Sequence, residues 1–401
     1  MEHFGPFLIA LGFAGHALVS KRIEATILSM PMVMAGFGWF MTAIHESSLE
    51  SAQAIGLIRI ISEVTLVLVL FSDASRARLN VLRRDGSIPA RMLLVGLPLT
   101  LLLGTLLSLW IIPDTPLASL LLLAAILTPT DAALGQSVLA SPLVPERLCE
   151  AINAESGLND GLAAPAVFIA AILASGSPGD AGSLMLYAGM QVVFGPIVGF
   201  AVGWCGAKLM DASAERNWFS VSATAVFVIS TAFAAYFGAE IVGGNGFIAT
   251  FVAGLTFGAF LRHERVFTGE IMENEGRILT MATFFVFGAT LLPEGLARAD
   301  GTMLILAMAF LTVVRMVPVA ISLRGLGLGN RDIVFLGWFG PRGLASILFA
   351  LLIAEEYPSV MTEQIASCIV LTVALSIVLH GITANPMARA FPRRGSGDGG
   401  T

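Results

Sequence analysis

The chain is dominated by apolar stretches of about twenty residues, the length an α-helix needs to cross a hydrocarbon core roughly 30 Å thick. We count thirteen, near residues 4–20, 25–44, 54–72, 90–112, 115–140, 146–174, 183–209, 217–238, 241–260, 275–292, 301–323, 332–354 and 361–387. The expected fold class is an all-α polytopic membrane protein. Composition agrees: 56% of residues are hydrophobic and 12% charged, whereas soluble domains carry about twice that charge. A net charge of −6 says little here, because several acids lie inside apolar stretches. Cys149, Cys205 and Cys368 each sit in or beside an apolar segment, so neither a disulfide framework nor a zinc site is expected. The start, Met1 to Phe4, lacks a basic n-region, and the first apolar segment reads as a retained helix. Connections are short. Residues 1–391 read as one membrane domain, and 392–401 as a tail disordered by composition.

The distribution of Lys and Arg tests the count independently, since short cytoplasmic loops are enriched in both. The odd-numbered loops and the C-terminal tail hold eighteen of the 22 basic residues. Arg298 is alone in the N-terminus and even loops, and Arg59, Arg315 and Arg342 fall within spans. The expected topology has the N-terminus outside and the C-terminus in the cytoplasm.

An ionisable group near the bilayer centre costs several kcal/mol, so each one demands a partner, water or a role. They cluster in three spans. The fifth contains Thr128, Pro129, Thr130 and Asp131; the sixth Asn153, Glu155, Ser156, Asn159 and Asp160; the twelfth Gly340, Pro341, Arg342 and Gly343. Thr130, Asp160 and Arg342 all fall near mid-depth, which suggests one shared cavity. Proline removes a backbone donor and clashes with the preceding turn, so Pro129 and Pro341 mark places where a helix opens and frees carbonyls, the usual construction of transporter ion sites. The two breaks lie seven crossings apart and so run in opposite directions. Spans 1–6 and 8–13, joined by span 7, are expected to form an inverted repeat. In the sixth span Asn153, Ser156 and Asp160 share one helix face, with Glu155 and Asn159 on the neighbouring stripe. A carboxylate, a hydroxyl and freed carbonyls suit a small monovalent cation.

At these residues the chain resembles the monovalent cation/proton antiporters, in particular the electroneutral sodium/proton exchanger branch of prokaryotes. The resemblance rests on the Thr130–Asp131 pair, on AESGLNDG at 154–161, on NGFIATFVAGLTFG at 245–258 and on GWFGPRGLAS at 337–346. It implies that Asp160 alternately holds a cation and a proton, with Ser156 and the Thr130 region adding oxygens. It also implies a structural ion pair between Glu155 and Arg342, and Asp131 balancing half-helix dipoles beside the ion. Many relatives place proline after the aspartate of the broken helix; here Ala132 follows it and Pro129 precedes. An acid of the third span commonly lies near the ion, and Glu63 is expected in that role rather than Asp73. Arg59, one turn earlier, offers Glu63 a neutralising partner instead. The resemblance further implies a homodimer in the cell (inner) membrane, working in pH homeostasis.

Burial disfavours a charged carboxylate, whereas a bound cation restores it. One group therefore holds H⁺ or a metal ion but hardly both, which gives antiport by competition. With Glu155 cancelled and Asn159 in place of a second acid, exchange is expected to be electroneutral, one proton for one Na⁺, Li⁺ or K⁺. No cofactor, enzymatic activity or nucleic-acid partner is expected; the partners are monovalent cations, protons and membrane lipids. Arg315 reads as a structural counter-charge, and His16 and His380 as packing residues. Two alternatives use similar parts: a sodium-coupled solute transporter, for which the central spans offer few recognition groups, and an intramembrane aspartyl protease built on Asp131 and Asp160.

Overall fold

The computed structural model describes residues 4–24, 26, 28–44, 52–76, 87–139, 141–176, 181–218, 220, 223–262 and 278–391. All regular structure among them is helical. The charged loop segments 77–86 and 263–277, the tail from 392 and the side chain of Arg59 lie outside the described residues.

We number the helices in chain order: α1 (Phe4–Glu24), α2 (Met30–Ile44), α3 (Ala52–Arg76), α4 (Ser87–Ile111), α5a (Leu117–Ile126) with α5b (Gln136–Leu139), and α6 (Glu146–Ala174). There follow α7 (Ala181–Glu215), α8 (Thr224–Ile241), α9 (Gly246–Phe260), α10 (Ile278–Ala297), α11 (Gly301–Ser322), α12a (Asn330–Trp338) with α12b (Leu344–Glu356), and α13 (Glu363–Arg389). Among the described residues, seven of these are long and apolar enough to cross a membrane. Leu18, Trp110 and Ile241 point outward with at least four fifths of their surface exposed. Water would penalise such side chains; lipid does not.

Lipid offers no hydrophobic drive between helices, so close packing of small residues holds them together. A side chain at Gly254 or Gly258 of α9 would overlap the backbone of Phe71 or Ser75 in α3. This pins α3 backbone to backbone against α9. Asn245 starts α9 by accepting the N–H of Ile248 at 3.0 Å, a side-chain cap that satisfies an orphan donor. Between α6, α8, α9 and α12b the core is aromatic: Phe168 stacks on Phe247 at 5.5 Å, meets Phe349 edge-on at 6.2 Å, and Tyr236 closes on Phe247 at 5.1 Å.

Two chain segments interrupt this packing. α5a ends at Ile126 and non-helical backbone runs through Asp131; α12a ends at Trp338 and the chain stays non-helical until Gly343. Both interruptions contain the proline expected to cause them, Pro129 and Pro341.

Candidate cation site

An interrupted helix leaves carbonyls without intrahelical donors, and each must find another partner when buried. The two breaks supply one another. Ile126 O accepts Ser346 Oγ at 2.7 Å, Pro129 O accepts Arg342 Nη1 at 3.0 Å, and Pro341 O accepts the N–H of Asp131 at 2.8 Å. Arg342 Nη1 also donates to Thr128 O.

The charges are exchanged in the same crosswise fashion. Asp131, from the first break, accepts the N–H of Leu344 at 2.9 Å, the first residue of α12b. Arg342, from the second break, sits just past the C-terminal end of α5a. Each side chain thus meets the helix end whose partial charge it opposes. The approach is tight, because a Cβ on Gly343 would collide with the Asp131 carboxylate and with Leu134.

The middle turns of α6 rest on the first break. Ser156 Oγ donates to Thr130 O, and Asn159 Nδ2 donates to Thr130 Oγ1, both at 2.5 Å. Asp160 is buried beside them, and the charged groups acting on it are two further carboxylates, Asp73 and Asp131. Two buried oxygens, Asn159 Oδ1 and Asp160 Oδ1, have no hydrogen-bond donor among the described residues. Buried acceptors without donors are rare and costly, and a hard cation takes oxygen ligands of this kind.

The sequence matches the transmembrane sodium/hydrogen exchanger family over residues 9–390. The chain belongs to that family. Among curated relatives the chain is 28% identical over 328 residues to Na(+)/H(+) antiporter 2 of Zygosaccharomyces rouxii, covering 76% of this chain and 40% of that protein. It is 24% identical over 388 residues to the K(+)/H(+) antiporter NhaP of Alkalimonas amylolytica, covering 93% and 63%. The chain thus spans less than two thirds of the length of these relatives. Its fold is similar to that of the sodium proton antiporter MjNhaP1 from Methanocaldococcus jannaschii, with a TM-score of 0.77 and 18% identity over 95% of this chain and 100% of the other. With its long apolar helices, the chain is a multi-pass membrane protein.

Two placements in this chain differ from the sequence reading. Glu155 is paired with Arg315, not Arg342: Nη1 and Nη2 of Arg315 donate to its two oxygens at 2.5 and 2.7 Å. Gly340 makes room, since a side chain there would overlap the Arg315 guanidinium. Arg342 directs Nη1 at the carbonyls of Thr128 and Pro129 instead. Glu63 accepts a hydrogen bond from Tyr236 of α8 and lies in the field of Glu240; it is not among the charged groups that act on Asp160. The third-helix acid that bears on Asp160 is Asp73, three turns further along α3, opposite Gly157 of α6. Asn153 shares the face of Ser156 and Asp160 but is exposed, one turn nearer the start of α6. His380, read from the sequence as a packing residue, is buried, and its ring nitrogens also contact Trp338 O and Ser376 O.

Proposed function

We propose that the exchanger carries a monovalent cation, Na⁺ or alternatively Li⁺ or K⁺, against H⁺, and that the two compete for Asp160. The observation that carries the reading is the pair of donorless buried oxygens on Asp160 and Asn159, beside the Thr130 carbonyl and hydroxyl that Ser156 and Asn159 engage. A proton on Asp160 or a cation between these oxygens each relieves the same electrostatic deficit. Two passages of the site across the membrane then return one of each. The cation ligands in this reading are Asp160, Ser156, Thr130 and Asn159, with Asp131 shaping the field and Asp73 taking the place expected of Glu63. In this reading exchange is electroneutral, one for one: Arg315 neutralises Glu155, Asp131 and Arg342 each face a helix end, Asp73 keeps one charge state throughout, and Asp160 is the exchanging charge.

The same proposal takes residues 1–391 as one membrane domain of thirteen crossings in the cell membrane, N-terminus outside and C-terminus in the cytoplasm. Two inverted six-helix units are joined by α7. The similarity to MjNhaP1 and the placement of the breaks in α5 and α12 support this reading. A homodimer surrounded by lipid is part of it. The test is proton flux on addition of Na⁺, Li⁺ or K⁺ to everted vesicles, followed with a fluorescent pH probe, and then in liposomes with Asp160→Asn. Wild-type flux that disappears in the variant is expected. Surviving flux in Asp160→Asn would dispose of the single-carboxylate scheme.

A further inference from the structure

We propose that His380 is a positioning residue for the second break, an imidazole that ties the two ends of the interruption in α12 to a single turn of α13. The chain before the break is held at Trp338, whose carbonyl lies 2.8 Å from His380 Nε2. Beyond it the hold is at Arg342, whose backbone N–H donates to Ser376 Oγ at 2.7 Å. Ser376 Oγ in turn lies 3.3 Å from His380 Nδ1.

A carbonyl oxygen only accepts, so the contact with Trp338 O is a hydrogen bond donated by Nε2–H. Nδ1 is the ring's second hold on α13: it lies 2.9 Å from Ser376 O and 3.3 Å from Ser376 Oγ, the atom that accepts the Arg342 backbone N–H. The charged groups facing the ring are the guanidiniums of Arg342 and Arg315. Packing fixes the ring plane: His380 stacks on Trp338 at 5.0 Å, and Trp338 Nε1 donates to Thr383 Oγ1 of the same α13 face at 2.8 Å. Arg342, held from behind at its backbone, is thereby aimed at the carbonyls of Thr128 and Pro129, next to Thr130.

This inference rests on the antiport reading, and wild-type flux separates the two. Without cation-driven proton flux in wild-type liposomes the antiport reading fails; with it, the variants judge His380 alone. His380→Phe keeps a ring to stack on Trp338 but offers no hydrogen bond, whereas His380→Gln keeps an N–H for Trp338 O. Expected are a fall of at least fivefold in the maximal rate at saturating cation for His380→Phe and a rate within twofold of wild type for His380→Gln. A phenylalanine variant as fast as wild type, or a glutamine variant no better than phenylalanine, overturns the proposal. Ser376→Ala provides an arm that leaves the imidazole in place. It is expected to lower the maximal rate at least threefold, and an unchanged rate overturns the proposal as well.

Discussion

Both terminal nitrogens of Arg315 donate to the carboxylate of Glu155, joining α11 to α6 across 160 residues of chain. The pair is almost wholly shielded, with side-chain exposures of 5% and 3%. Removing one member of such a pair strands the other charge and costs about 3–5 kcal/mol, whereas replacing both by apolar groups is far milder. Arg315→Leu and Glu155→Leu should each lower the thermal midpoint of the detergent-solubilised protein by several degrees. The double variant should recover most of the loss. Single variants that melt with wild type would show that the pair contributes nothing.

Competition for one carboxylate fixes a sign for the pH response. Lowering pH adds the competitor, so the apparent KM for the cation should rise, approaching tenfold per pH unit at the acid end, while the rate at saturating cation stays constant. Initial rates over a matrix of pH and Na⁺ concentration check this. A constant KM with a falling maximal rate would point to a proton site separate from the cation site.

Gly343 is where the two breaks touch most closely. Gly343→Ala pushes a methyl group into Asp131 and Leu134, an overpacking that costs about 1–3 kcal/mol, and it withdraws the acceptor from Leu344. Exchange should fall at least tenfold. Gly329→Ala is the control, because nothing lies within 4 Å of a Cβ there, and its flux should match wild type.

The two acids of α3 part company in the structure, and their variants should too. Asp73→Asn is expected to change the apparent cation affinity at least threefold. Glu63→Gln, which alters a group bonded to Tyr236, should leave it within twofold. The reverse result would restore Glu63 to the cation site.

What the sequence showed and what it hid divide along a physical line. Proline chemistry acts locally, so the openings at Pro129 and Pro341 were legible from single residues, as was the contact face of Ser156 and Asp160. Rotation about the helix axis and the choice between buried partners were not. Arg315 and Arg342 are both buried bases, and only the packing of α11 against Gly340 decides that Arg315 faces Glu155. Glu63 and Asp73 were separated by depth alone, and that misled: α3 continues helical to Arg76, carrying Asp73 alongside Gly157.

The crosswise arrangement of Asp131 and Arg342 has a mechanical consequence. Withdrawing either interrupted helix from the other would strip the compensating charge from two helix ends at once, each worth about 0.3–1 kcal/mol even at an exposed surface, and would also orphan the carbonyls of Ile126, Pro129 and Pro341. In the proposed antiport cycle α5 and α12 are therefore expected to move as one piece, and the displacement that exposes the site to opposite sides to be taken up at its perimeter, where this piece meets neighbouring helices.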